Sequence, residues 1–222
     1  MIRAVTFDVG GTLIEPWPSV GEIYSRAAAQ AGAGVIDPAI IGRQFGAAWK
    51  RRNNFAYSRQ EWARLVEESF SGLLPPGQTA RFFPGLYDQF ARPDCWRVFE
   101  DVVPALDELA RAGLKLGIIS NWDDRLRPLL SALGLSTFFE TIVISCEAGC
   151  CKPDPAIFVR AAASLRFPPN EILHIGDTPS TDVAGARAAG FAAFELRRSA
   201  DSLNPGAINS LRILISTINK TE

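Results

Sequence analysis

The feature that most constrains this chain is an alternation of two periods: short apolar runs of strand character are followed, again and again, by apolar stripes at helical spacing. Ile2 to Phe7 (IRAVTF) reads as a strand and runs into the glycine-loosened loop Asp8-Val9-Gly10-Gly11-Thr12. After Pro104 a helical face at Leu106, Leu109 and Ala110 stops at Gly113, and Leu114 to Ile119 (LKLGII) reads as a buried strand. The pattern continues with a helix through Leu126, Leu129, Leu130 and Leu133, a strand at 141–145, and a helix through Ile157, Phe158, Ala161, Ala162 and Leu165. A strand at 172–175, a helix at 183–189 and a strand at 191–194 complete it. Repeated βα units of this length predict an α/β fold, a mostly parallel sheet with helices on both faces.

One stretch breaks the alternation. Between the first strand and the rest, helical stripes follow one another without strands: Val20, Ile23, Tyr24, Ala27 and Ala28, then Ile41, Phe45, Ala48 and Trp49, then Trp62, Leu65, Val66, Ser69 and Phe70. Ser58 with Glu61 reads as a capping box for the third. The predicted division is a core of residues 1–14 and 98–222 with a mainly helical insert at 15–97.

Composition narrows the function classes. Lys plus Arg is 23 against 24 for Asp plus Glu, a net charge of -1, so no basic field points to nucleic acid. Charged residues and prolines break the apolar stretches well short of a membrane span, and Met1 leads into a strand pattern, so a cytoplasmic protein acting on a small molecule is expected. Cys95, Cys146, Cys150 and Cys151 are too sparse for a disulfide framework in 222 residues and are expected as free thiols.

In an open parallel sheet the carboxyl ends of the strands share one edge, where ligands bind. Four polar clusters fall there: the loop from Asp8 to Thr12, Ser120-Asn121, Lys152-Pro153, and Gly176 to Asp182 (GDTPSTD). Asp8, leaving an apolar strand into a glycine loop, suits a carboxylate nucleophile or a metal ligand; capping a turn is the plainer alternative. Asp177 and Asp182 read as site carboxylates or as turn and helix-start acids. Asp8 and Asp177 together supply the minimum protein contribution to a Mg²⁺ ion. Ser120 and Asn121 offer a hydroxyl and an amide to phosphate-like oxygens, or cap a helix. Lys152 either neutralises a nucleophile and an anionic group together or lies on the surface. His174, inside an apolar strand, reads as a core imidazole.

At these residues the chain resembles the haloacid dehalogenase superfamily of aspartate-nucleophile hydrolases, over about residues 2 to 200. The matching segments are FDVGGTL (Phe7 to Leu13), Ser120-Asn121, Lys152 within CKPDPAIF, and GDTPSTD, and the inserted helices resemble that family's mobile cap. The resemblance implies a Rossmann-like three-layer core and a Mg²⁺ cofactor. It implies that Asp8 attacks the substrate, that Asp177 and the Gly10 carbonyl join Asp8 in holding the metal, and that Asp182 supports the site. Thr12, Ser120 and Asn121 would bind the transferred group, and Lys152 would offset charge.

Phosphatases of that family carry Asp-x-Asp, the second aspartate serving as the general acid; here that position is Gly10. Loss of a general acid costs about 10²–10⁴-fold when the leaving group is poor. Glu15 is the nearest downstream acid, past the loop. The expected function is therefore Mg²⁺-dependent hydrolysis of a small phosphorylated metabolite with a good leaving group, through a covalent intermediate on Asp8. The alternatives are a 2-haloacid dehalogenase-like or phosphonatase-like hydrolase, and a non-catalytic binding protein that keeps the fold. In the insert, Arg43, Lys50 and Arg51 are the candidates for substrate contact, and Lys50, its one lysine, is where an imine route would have to run. A monomer or homodimer is expected.

Overall fold

A computed structural model describes residues 1–52, 55–198 and 206–220. Its strands are β1 (Ala4–Phe7), β2 (Ile14–Pro16), β3 (Trp96–Val98), β4 (Lys115–Ser120), β5 (Thr141–Ile144), β6 (Ile172–Gly176), β7 (Ala192–Leu196) and β8 (Ala207–Ile208). Its α-helices are α1 (Val20–Gln30), α2 (Pro38–Arg51), α3 (Arg59–Ser69), α4 (Phe83–Gln89), α5 (Val102–Arg111), α6 (Leu126–Ala132), α7 (Ser145–Ala148), α8 (Pro155–Leu165), α9 (Ala184–Ala188) and α10 (Leu214–Lys220). The chain forms two compact units, Met1–Glu15 with Val98–Glu222, and Pro16–Arg97.

The first unit is an α/β fold built on a six-stranded sheet in the order β5-β4-β1-β6-β7-β8, with every paired neighbour parallel. From β1 the chain runs outward through β4 to β5, then returns to β6 on the other side of β1. Strand order reverses around β1, the place where loops at the carboxyl edge part to leave a crevice. Ala4, Ile119, Ile172 and Ala193 pack with Ile157, Phe158 and Ala161 of α8 and Ala186 of α9. The alternate residues Val5, Phe7, Leu116, Ile118, Leu173 and Ile175 are equally buried, and α5 lies against β4 with α10 beside it. Burial on both faces explains why the strands read as continuous apolar runs and not as alternating ones. Asp154 caps α8 by accepting from the Ala156 amide at 2.9 Å, with Pro155 at the first helical position.

The helix expected over 183–189 is preceded by a π-helical turn, Pro179–Val183, which α9 continues. Such turns are rare and tend to mark functional sites. Residues 199–205, after β7, lie outside the described ones. Among the described residues no helix is long and apolar enough to cross a membrane.

The second unit packs α1 to α4 around Ile23, Tyr24, Ile41, Val66, Phe70 and Leu86. Tyr24 stacks on Phe70 with ring centroids 6.1 Å apart and meets Phe45 edge-on at 5.8 Å. The expected capping box forms by half: Ser58 Oγ accepts from the Glu61 amide at 3.3 Å, but the Glu61 carboxylate turns to the amide of Ala56 and not to that of Ser58. Helix α4 has only seven residues, too few for a periodic stripe to announce it.

Candidate active site

The register of β1 brings the site together. Phe7 pairs with Ile118 of β4 on one side and Ile175 of β6 on the other, so Asp8 leaves the sheet between the two flanking strand ends. Its amide still donates to the Ile175 carbonyl at 2.9 Å. The next residues double back at once: the amides of Thr12, Leu13 and Ile14 all converge on the Val9 carbonyl, at 3.2, 2.8 and 3.1 Å. Gly11 makes this turn with φ of 78°, a region that favours glycine. It also clears room, because a Cβ there would stand 2.3 Å from Asp177 Oδ2. Gly176 does the same for Asp182, whose Cγ would lie 2.3 Å from a Cβ at that position.

Lys152 is the centre of the cluster. Its Nζ donates to Asp8 Oδ1 and to Asp182 Oδ1, both at 2.6 Å, and the lysine is 4% exposed. Ser120 Oγ donates to the same Asp8 oxygen at 3.0 Å. Asp182 Oδ2 accepts from the Thr178 amide at 2.9 Å, so both of its oxygens are engaged. Asp177 is only partly buried and accepts from Thr178 Oγ1 at 3.1 Å. Donor oxygens of Asp8, Asp177 and Asp182 lie within 4.8 Å of one another.

Three carboxylates facing one ammonium distort each other's titration. Burial pushes the Asp8 carboxyl upward, aided by repulsion from Asp182 and opposed by Lys152. Burial, then Asp8 and Asp182, push Asp177 up to about 7. Asp182 is buried too, but the Lys152 charge prevails and holds it below the usual carboxylate range. Burial works against the charge on Lys152, yet Asp182 and Asp8 hold it above the ordinary lysine value. The arrangement therefore carries a buried, permanent cation and more carboxylate than that cation can neutralise. Hard oxygen donors in such surplus suit a Mg²⁺-type ion, with Asp8 and Asp177 as the carboxylates to hold it, since Asp182 is already spent on Lys152 and Thr178.

Other candidates sit where sequence alone does not put them. Asn121 faces the main chain of Lys152: its Nδ2 donates to the Lys152 carbonyl at 2.9 Å and its Oδ1 accepts from the Lys152 amide at 2.7 Å. Thr12 Oγ1 is fully buried and has no hydrogen-bond partner among the described residues, which is uncommon for a buried hydroxyl. Within the second unit, Arg43, Lys50 and Arg51 are exposed residues of α2, and Arg51 reaches Glu68 at 3.7 Å.

Near the cluster lie His174, buried as its apolar strand predicts, and two features with no sequence signal of their own, Arg198 and the Trp122 ring. His174 is fully buried, with Nδ1 3.0 Å from Thr6 Oγ1 and Nε2 3.7 Å from Asp182 Oδ1; burial lowers its pKa, so it stands neutral behind Asp182. Arg198 donates to the Thr12 carbonyl at 2.6 Å and to Asp101 at 2.8 Å, tying the loop after Asp8 to the start of α5. The Trp122 ring lies against Gly10, where a Cβ would be 3.2 Å from Trp122 Cζ3.

Comparison with known proteins identifies the family and the fold. Haloacid dehalogenase-like hydrolase domain-containing protein 3 of Danio rerio is 35% identical over 89% of this chain and 86% of its own. A phosphoglycolate phosphatase of Yersinia pestis is 29% identical over 85% of this chain and 78% of its own. Solved structures of the same fold include both phosphatases and dehalogenases. The HAD phosphatase from Thermococcus onnurineus shares 24% identity, with a TM-score of 0.70 over 98% of each chain. The family model for haloacid dehalogenase-like hydrolases matches residues 2–190, spanning β1 to α9 and every carboxylate around Lys152, and the chain belongs to that family of hydrolases.

Proposed function

We propose that this hydrolase is a Mg²⁺-dependent phosphohydrolase of a small phosphorylated metabolite with a good leaving group, working through a covalent intermediate on Asp8. The observation that carries the reading is the bridge made by Lys152 Nζ, 2.6 Å from both Asp8 and Asp182, beside a third carboxylate. One cation cannot balance three carboxylates and a phosphate, so the site calls for a second. Asp8, Asp177 and the Gly10 carbonyl would hold Mg²⁺, which when bound neutralises charge on the phosphoryl oxygens.

The chain's own residues supply the rest. Lys152 and Ser120 both engage Asp8 Oδ1, the ammonium opposing the burial that pushes this carboxyl upward, and Oδ2 is left outside both bonds as the attacking atom. Thr12 and Ser120 hydroxyls and the Lys152 ammonium bind the transferred group, with Asn121 holding the lysine in place. Gly10 brings no carboxyl to protonate a departing alkoxide, so leaving groups that depart as stable anions, acyl or aryl, fit the site. Pro16–Arg97 acts as a cap, with Arg43, Lys50 and Arg51 offered to the substrate. Similarity to a phosphoglycolate phosphatase supports phosphoryl chemistry. Dehalogenation of a haloacid fits less well, because displacement of a halide does not call for the second cation that Asp8 and Asp177 would hold.

Turnover of acetyl phosphate by the purified protein tests this. Asp8→Asn is expected to lose at least about 10³-fold in kcat, as removal of a nucleophile does, and chelation of Mg²⁺ to abolish the activity of the unaltered protein. Turnover unchanged in Asp8→Asn would overturn the mechanism.

A further inference from the structure

Gly10 does not adopt the left-handed conformation that Gly11 does, so its backbone would admit a side chain. What limits one is space. A Cβ at Gly10 would stand 3.2 Å from Cζ3 and 3.8 Å from Cη2 of Trp122, the outer edge of the indole six-membered ring. Glycine at this position lets an aromatic ring lie on the backbone two residues beyond Asp8.

The ring's own backbone is pinned. The Trp122 amide donates to Ser145 Oγ at 3.0 Å, Ser145 Oγ donates back to the Trp122 carbonyl at 3.0 Å, and the Cys146 amide reaches the same carbonyl at 3.3 Å. The ring thus occupies the direction a side chain at Gly10 would take, in the loop that follows Asp8, while Ser120, two residues before Trp122, donates to Asp8 Oδ1 at 3.0 Å. Trp122 is only half-buried, which leaves part of its surface open.

We propose that Trp122 is a specificity-determining residue that walls the leaving-group side of the site and selects phosphate esters of aromatic hydroxyls. The inference rests on the phosphohydrolase reading above and deepens it. An indole offers a flat apolar surface on which a planar ring packs, by stacking or edge to face, more favourably than a small aliphatic group does. A phenol, with a pKa of about 10 like that of tyrosine, also leaves as its anion without the proton an alkoxide needs. Recognition and reactivity thus point to the same class. Asp8 Oδ2 forms a bond to phosphorus as the bond from phosphorus to the aryl oxygen breaks; the electron pair leaves with the aryloxide, which takes its proton from water. A second water then attacks phosphorus, the pair of the breaking bond returns to the Asp8 carboxylate, and inorganic phosphate departs with the remaining proton released to solvent.

The test compares two inert probes, phenylphosphonate and methylphosphonate, by calorimetric titration of the full chain with Mg²⁺, alongside kcat/KM for phenyl phosphate against acetyl phosphate. The unaltered protein is expected to bind phenylphosphonate at least about tenfold more tightly than methylphosphonate, a margin in keeping with aromatic packing. Trp122→Leu, which keeps apolar bulk and so protects folding, is expected to erase most of that ratio in binding and in kcat/KM, and Trp122→Phe to keep it within about threefold. A ratio untouched in Trp122→Leu, or lost to the same extent in both variants, overturns the proposal, as does an unaltered protein with no preference for the phenyl probe. Failure to bind either phosphonate would instead sink the phosphohydrolase reading, and this inference with it.

Discussion

Asn121 and Lys152 hold each other twice, side chain to main chain: Nδ2 to the lysine carbonyl at 2.9 Å, and Oδ1 to the lysine amide at 2.7 Å. The pair joins residues 31 apart in sequence and fixes the loop from which the buried ammonium reaches Asp8. Asn121→Ala leaves both main-chain groups of Lys152 without these partners. It is expected to destabilise the fold by about 1–3 kcal/mol and to lower kcat more than it raises KM, because the substrate is not touched directly. Chemical denaturation and steady-state kinetics on acetyl phosphate check the two effects separately. An asparagine that served the substrate alone would raise KM and leave the denaturation midpoint in place.

Removing the ammonium exposes what it holds. Lys152→Met leaves Asp8 and Asp182 buried together without a cation, a change expected to cost about 3–5 kcal/mol of stability, the usual penalty for breaking a buried ion pair by taking one partner. Adding Asp182→Asn to Lys152→Met removes one of the stranded charges and is expected to recover part of that loss while leaving the protein inactive. Urea midpoints of the two single variants and the double variant measure the coupling.

Much of the site is legible in the sequence, and the reason is geometric. Parallel strands end on one edge, so residues at the carboxyl ends of β1, β4 and β6 have to meet, and Asp8, Ser120 and the Gly176 to Asp182 segment do so with Lys152 among them. The side chains that stay hidden depend on torsions or on long-range contacts that no spacing encodes. Asn121 is adjacent to Ser120, yet its amide turns to Lys152 where an anion contact is the sequence expectation. Trp122 reads as one more aromatic until its ring is found on Gly10. The Arg198 to Asp101 pair spans 97 residues, beyond any local motif.

Asp101 makes acid stability a measure of how the chain's end is tied down. Its carboxylate is buried, which alone would raise its pKa, but the Leu211 amide, Ser210 Oγ and Arg198 together hold it below the ordinary aspartate value. A folded pKa below the unfolded one means that this group's contribution is complete above the unfolded value of about 3.9 and fades as pH falls through the folded one. Asp101→Asn is thus expected to be less stable than the unaltered chain at pH 7, by about 1–3 kcal/mol for the lost charge-assisted bonds. The gap should narrow below about pH 4. Melting curves of both proteins between pH 3 and pH 7 read this directly; a gap that stays constant with pH would place the stabilisation elsewhere.

Three glycines of the site separate by what each one makes room for. At Gly11 a methyl group meets both a φ of 78° and the Asp177 carboxylate at 2.3 Å. At Gly176 the backbone is ordinary strand, but Asp182 Cγ stands 2.3 Å away and is held from two sides by Lys152 and Thr178. At Gly10 the obstacle, 3.2 Å away, is the edge of one indole ring that can give by a few tenths of an ångström. Alanine is therefore expected to do most harm at Gly11, where strain and collision add, with a stability loss of about 2–4 kcal/mol and activity lost altogether. Gly176→Ala is expected to push Asp182 off Lys152 and cost at least about tenfold in kcat, equivalent to about 1.4 kcal/mol in the barrier. Gly10→Ala is expected to fall within about 1 kcal/mol of the unaltered chain, as a small overpacking against a movable side chain does. Thermal melts and kcat on acetyl phosphate rank the three, and a Gly10→Ala variant as damaged as Gly11→Ala would show that the indole cannot yield, making the fit between Gly10 and Trp122 rigid.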